Sequence, residues 1–198
     1  MKKTCNLLIL CLILLFFACN GRNKSSQEFY DEMFKWRITI PENLDSVSPE
    51  LWAKNQERAM TAIKNTYGGL EVEDNTITIF RFSKGQFNLF EAQYQDFDTK
   101  IDGNFVEALD IIYEMIYETL IVQAPNIVID TIKTIEKIDN LDFYVFKMKG
   151  NFPNKMVLNM LMYSRLIDDK MFGVTITYLT EELGQKMINA LKNSTFEK

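Results

Sequence analysis

All three cysteines of this chain, Cys5, Cys11 and Cys19, fall within its first nineteen positions, and there is no histidine anywhere. Whatever folds after Cys19 must therefore hold together by apolar burial and backbone hydrogen bonding, with no disulfide and no zinc cluster to staple it. The same census excludes Ser-His-Asp and Cys-His catalysis, histidine metal ligation and a histidine pH switch from that part of the chain. Positions 19–198 make up 180 residues, about one domain by length and enough to bury a real core.

The leader carries its own message. Met1-Lys2-Lys3 is a basic start, and Leu7–Ala18 is an apolar run of twelve. That suits the core of a signal peptide and falls short of the roughly 20 residues needed to span a bilayer. A small residue, Ala18, stands directly before Cys19. Leu15-Phe16-Phe17-Ala18-Cys19 resembles the lipobox of bacterial lipoproteins. That resemblance implies cleavage before Cys19 and a diacylglycerol on its sulfur, so Cys19 is the expected lipidation site. Three acyl chains there would anchor the protein firmly, since even two lipid signals suffice for stable attachment. Asn20–Gln27 is small and polar, and residues 19–33 are expected to be the lipidated cysteine and a flexible tether. No acidic export run follows Cys19, so the expectation is a bacterial cell-envelope protein at the outer membrane, facing the periplasm.

Without its leader the chain has 20 basic and 27 acidic side chains, a balance of −7. Nucleic acid, which needs clustered Lys and Arg, is not an expected partner. No polybasic patch for anionic lipid exists either, so membrane attachment rests on the lipid.

From Phe34 onward the periodicities describe a single α+β domain over residues 34–198. Phe34, Trp36, Ile38 and Ile40 alternate with Lys35, Arg37 and Thr39, a half-buried strand ended by Pro41. Ser48-Pro49-Glu50 is a helix start, and Trp52, Ala59, Ile63 and Tyr67 share a face before Gly68-Gly69 stops it. Thr76–Phe82 and Phe87–Tyr94 are strands joined through Ser83-Lys84-Gly85-Gln86. Asn104 and Glu107 open a second helix with an apolar stripe of Phe105, Leu109, Ile112, Ile116 and Leu120, closed by Pro125. Ile127–Ile132, Phe143–Lys149, Met156–Leu166 and Phe172–Tyr178 read as strands, the last two joined through Ile167-Asp168-Asp169-Lys170. Thr180-Glu181-Glu182 begins a last helix. An antiparallel β-sheet with amphipathic helices packed on it buries all these stripes at once.

Two stretches carry a family likeness. Phe34-Lys35-Trp36-Arg37-Ile38-Thr39-Ile40-Pro41-Glu42-Asn43 resembles the opening strand and proline turn of the PsbP-like fold, shared by photosystem II accessory subunits and DcrB-like bacterial lipoproteins. Tyr178 through Phe196, ending Ala190-Leu191-Lys192-Asn193-Ser194-Thr195-Phe196, is similar to its closing strand-to-helix unit. The likeness implies a PsbP-like α/β sandwich and a binding or accessory role. It supplies no catalytic residue.

Three constellations invite chemistry. Asp96–Glu107 sits in EF-hand register, but Lys100 holds the fifth position and Ile101 the sixth, where the sharp turn needs glycine, so no metal is expected. Asp168-Asp169 with Asp139 or Asp142 would make a carboxylate pair for glycosidase-type work, yet both sites are turns that favour Asp for local reasons. Ser83-Lys84 and Ser164-Arg165 lack a nucleophile context. Phe143–Phe146 and Met160–Tyr163 are apolar on both strand faces, which asks for cover on each. Phe152, in the surface turn Gly150–Asn154, is the candidate partner contact beside them.

The reading is a lipid-anchored envelope protein that binds and does not catalyse. It would be a complex subunit or an immunity-type inhibitor, needing no cofactor and taking a protein partner whose basic surface suits the acidic chain. The alternatives are an envelope hydrolase using Asp or Glu, and a carrier of a small apolar ligand between the sheet and the Asn104 helix. A converging carboxylate pair would mark the first and an enclosed dry pocket the second.

Overall fold

The computed structural model describes residues 25–70 and 72–197. The chain runs β1 (Gln27–Asp31), β2 (Trp36–Ile40), β3 (Asp45–Ser46), α1 (Pro49–Thr66), β4 (Ile77–Ser83), β5 (Leu89–Asp96), α2 (Phe105–Gln123), β6 (Val128–Ile138), β7 (Leu141–Asn151), β8 (Val157–Ile167), β9 (Lys170–Tyr178), α3 (Glu181–Lys192) and β10 (Thr195–Phe196). These form two sheets, a small one in the order β1-β2-β10 and a seven-stranded one in the order β3-β4-β5-β9-β8-β7-β6. Every pairing is antiparallel.

The large sheet is built on hairpins whose turns the sequence dictates. Ile138 pairs with Leu141 and Ile167 with Lys170. The two residues between each pair, Asp139-Asn140 and Asp168-Asp169, all have positive φ. Asn and Asp tolerate that left-handed backbone, and its twist matches the flanking strands.

Both faces of this sheet are buried by the chain itself. On one face Phe172, Val174 and Ile176 of β9, Phe143 and Val145 of β7, and Leu161 and Tyr163 of β8 meet β2 and α3. On the other, Phe146 and Met148 of β7, Met160 and Met162 of β8, and Met171 meet Phe105, Leu109 and Tyr113 of α2. The double-sided apolar character of β7 and β8 is thus accounted for inside the fold, which removes the argument that one face awaits an outside cover.

Trp36 centres the first core. It is fully buried, stacks between Phe80 at 5.5 Å and Phe196 at 5.8 Å, and donates its indole N–H to Ser194 Oγ at 2.8 Å. Ser194 Oγ donates in turn to the Leu191 carbonyl. Asp139 accepts from the Phe196 backbone N–H at 2.7 Å, tying the β6–β7 turn to the last strand.

The structure corrects three boundaries. Gln27–Asp31 is strand β1, paired along β2, so the ordered fold starts inside the 19–33 stretch expected to be tether. The strand expected from Phe34 is β2 and begins at Trp36, and Phe34 lies in the β1–β2 turn with its ring in the core. Strand β6 reaches Ile138, six residues past the expected Ile132. The leader, Cys19 included, lies outside the described residues. Among the described residues no helix is long and apolar enough to cross a membrane.

Gly184 tests the seat of α3. A Cβ there would lie 2.4 Å from the Tyr178 ring. The better helix propensity of alanine, about 1 kcal/mol, is outweighed by overpacking of about 1–3 kcal/mol. Gly184→Ala should therefore lower the denaturant midpoint of the full chain in detergent. A raised midpoint would show that the ring moves aside freely.

Candidate functional site

The two helices over the α2 face are seated differently. Helix α2 starts at Asn104, whose side chain accepts from the Val106 and Glu107 backbone N–H groups, and it buries Phe105, Leu109 and Tyr113. Tyr113 stacks on Phe146 with ring centroids 4.5 Å apart. Helix α1 is capped by Ser48 with Pro49 in its first turn, as its sequence requires, yet it buries no residue. The strand positions near it are Arg81, Glu91 and Thr177, polar where those of β7 and β8 are apolar. Trp52, read from sequence as a core residue, instead lays its ring over the Arg81 guanidinium at 3.1 Å. Gln56 donates to Asp74 at 2.5 Å, and Tyr67 donates to Glu118 of α2 at 2.6 Å.

Arg81 and Glu91 form a buried ion pair across β4 and β5, their side chains 9% and 6% exposed. Burial pushes the Glu91 carboxyl above its usual range, against the pull of Arg81. Asp74 also lies in the field of Arg81 and is held low, because Thr76, Gln56 and Arg81 outweigh its own partial burial. A cation thus stands among these carboxylates. A strained acid–base pair is not what the geometry provides.

Beside Trp52 opens a groove of about 810 Å³ between α1 and the β4–β5 hairpin. A smaller cavity of about 150 Å³ lies between α2 and the sheet, where an apolar carrier would hold its ligand. Its lining includes Gln93, Ser164 and Thr175 as well as Leu109 and Ile112, and Tyr113 hydroxyl meets Ser164 there at 3.4 Å. That is small and part polar, not the dry enclosure a carrier needs.

A third depression, about 350 Å³, flanks the start of α2. Its floor is Phe97, Ala108, Ile112 and Met171, and its rim carries Glu73, Asp96 and Asp102. Around it the surface is both apolar and acidic. Ile101 is 82% and Ile111 62% exposed. Every charged residue of α2 is an acid: Glu107, Asp110, Glu114 and Glu118. Asp110 pairs with Lys133 and Asp96 with Lys170, whereas Glu107 and Glu114 have no ion-pair partner among the described residues.

The remaining residues singled out by sequence fall as follows. Within the calcium-like loop, Asp98 accepts from the Lys100 N–H and Asp102 from the Asp98 N–H, so these carboxylates shape a turn. Among the described residues no group of three metal-ligating side chains exists. Asp139 is spent on Phe196, and Asp142 faces Lys137. Asp168-Asp169 lies at the next hairpin turn along the same sheet end, about two strand spacings or ~10 Å away. Phe152 is half-buried, its ring beside Gly150, on which Ile127 also packs. Sequence reading passed over the acidic surface of α2, which Glu107, Asp110, Glu114 and Glu118 signal; the Arg81–Glu91 pair has no local signal, because nothing nearby announces a cross-strand partner.

No protein-family model and no curated protein matches the sequence. In three dimensions the chain is similar to the solution structure of cyanobacterial PsbP, CyanoP, from Synechocystis sp. PCC 6803, with a TM-score of 0.55 and 9% identity, over 92% of this chain and 99% of that one. The chain therefore has the PsbP-like α+β fold that its opening and closing stretches resemble.

The ion pair gives a sharp test. Arg81→Met should destabilise by about 3–5 kcal/mol, because it strands a buried carboxylate. Adding Glu91→Leu should recover most of that loss in the same chemical melt. A double variant no better than the single would mean that the pair is not desolvated.

Proposed function

We propose that this chain is a lipid-anchored, non-catalytic binding module of the bacterial cell envelope that captures a basic protein surface. One observation carries the reading: the patch at the start of α2, where Ile101 and Ile111 stand exposed among Glu73, Asp96, Asp102, Glu107 and Glu114. An exposed apolar centre with a polar, mainly acidic rim is the anatomy of an interface. The rim steers a cationic partner, and the isoleucines supply the desolvated contact. Lys and Arg also fit the depression itself, their aliphatic stems along Phe97 and Ile112 and their heads at the carboxylates. Phe152 is a second contact in this proposal, with the smaller part, since its ring already leans on Gly150.

The lipid anchor rests on Ala18-Cys19 after a short apolar run. On this proposal the module sits on the outer membrane, facing the periplasm. Cys19→Ala should abolish lipid labelling and release the protein from membrane pellets. Retention through a carbonate wash would mean that the leader itself is the anchor.

The patch is tested by a photocrosslinking residue at Ile111 in the full chain, with position 65, on α1, as the control. Ile111 should yield one crosslinked envelope protein, and Glu107→Lys with Glu114→Lys should cut that yield about tenfold, as each lost charge slows encounter. Equal yields at both positions, or indifference to the charge reversals, would sink the reading.

A further inference from the structure

The α1 groove lies apart from the acidic patch and has the opposite character. Its floor and walls include Leu51, Trp52, Phe87, Leu89 and Leu158, and the one charged residue in its lining is Arg58. Leu51 is 50% and Phe87 38% exposed, so this apolar surface faces solvent in the free protein. Arg58 has no ion-pair partner among the described residues, in a chain with an excess of acid.

Position along the helix gives the groove a direction. Leu51, Asn55 and Arg58 follow one another at spacings of four and three, so they run along one stripe of α1 from apolar through amide to cation. That stripe makes one wall a polarity gradient. The volume, about 810 Å³, is within the roughly 300–1,000 Å³ of small-molecule sites. A peptide strand would seek a free sheet edge, but at the groove end of β4, Phe82 and Ser83, that edge is already taken by β3. The gradient with a terminal cation complements a single-chain amphiphile.

We propose that the groove between α1 and the β4–β5 hairpin binds a single-chain anionic amphiphile, its carboxylate or phosphate head at Arg58 and its alkyl chain along Leu51, Phe87 and Leu158. This goes beyond the protein-binding reading and does not depend on it. The helix forming the wall buries no residue fully; the Trp52–Arg81 stack and the Gln56–Asp74 and Tyr67–Glu118 bonds hold it, not a buried stripe. The wall is thus free to adjust to a chain without disturbing either core.

The test uses washed membranes from cells expressing the full chain, illuminated with an alkyne-tagged, photoreactive sixteen-carbon fatty acid (roughly ligand-sized for such a pocket). The label should map to peptides carrying Leu51–Trp52 or Phe87–Leu89. Arg58→Glu, an exposed change outside both cores, should lower it about tenfold at equal protein level, and Leu51→Arg should do the same. An alkyl phosphate probe should compete, and the matching uncharged alcohol should not. Stronger competition by the alkyl phosphate than by unlabelled fatty acid would assign the head group as phosphate within the proposal. Equal labelling by the alcohol probe, insensitivity to Arg58→Glu, or label confined to other segments would overturn it.

Discussion

Strands β7, β8 and β9 cannot leave either face to water. Phe143, Val145, Tyr163, Phe172 and Val174 point one way, and Phe146, Met148, Met160, Met162 and Met171 the other. With no disulfide available after Cys19, burial on both sides is what stabilises the domain. The first cover is composite: β2 and α3, with Trp36 and Leu191 driven into the sheet, and β10 returning to β2 so that Phe196 stacks on Trp36. The second cover is α2 alone. One helix is narrower than a seven-stranded sheet, so it reaches β7, β8 and the start of β9 and leaves most of β4 and β5 to polar residues.

That shortfall explains where function can sit. Over the polar strands the fold needs no apolar lid, and α1 rests there on the Trp52–Arg81 stack. The Arg81–Glu91 pair beneath it contributes little net stability over an apolar replacement, yet breaking it is costly, so it fixes what may pack above. The outward side of α2 keeps its acids and the exposed Ile111 because the inward side carries the packing. Glu136 does the opposite work at the far edge. Burial would raise its carboxyl, but Lys147 and Lys192 hold it low, joining β6 and β7 to the end of α3.

Much of this was legible in residues. The alternation Trp36-Ile38-Ile40 gave a buried face, Ser48 and Asn104 gave helix starts that the caps bear out, and Asp168-Asp169 gave a turn. Elements whose partners are remote in sequence were illegible. Strand β1 is polar and mostly exposed, so only its pairing with β2 reveals it, and two-residue β10 has no periodicity at all. The same blindness misplaced Trp52: helical spacing says that it shares a face with Ile63, and only Arg81, brought in from β4, says that the face meets a cation. Phe152 stands out in the sequence because it sits beside strands apolar on both faces; two covers from the same chain bury both of those faces. The acidic patch needed Ile101 and Ile111 to be placed beside Asp96 and Asp102, a juxtaposition made by folding.

Strands β7, β8 and β9 form a spine buried on both faces, while α1 lies outside both cores. Hydrogen exchange on the full chain, followed peptide by peptide, measures this directly. The account predicts the slowest amides in β7, β8 and β9, protection nearly as strong in the inward half of α2, and exchange in α1 faster by about two orders of magnitude or more. Amides of α1 as slow as those of β8 would contradict it, since they would require a buried seat that the structure does not give that helix.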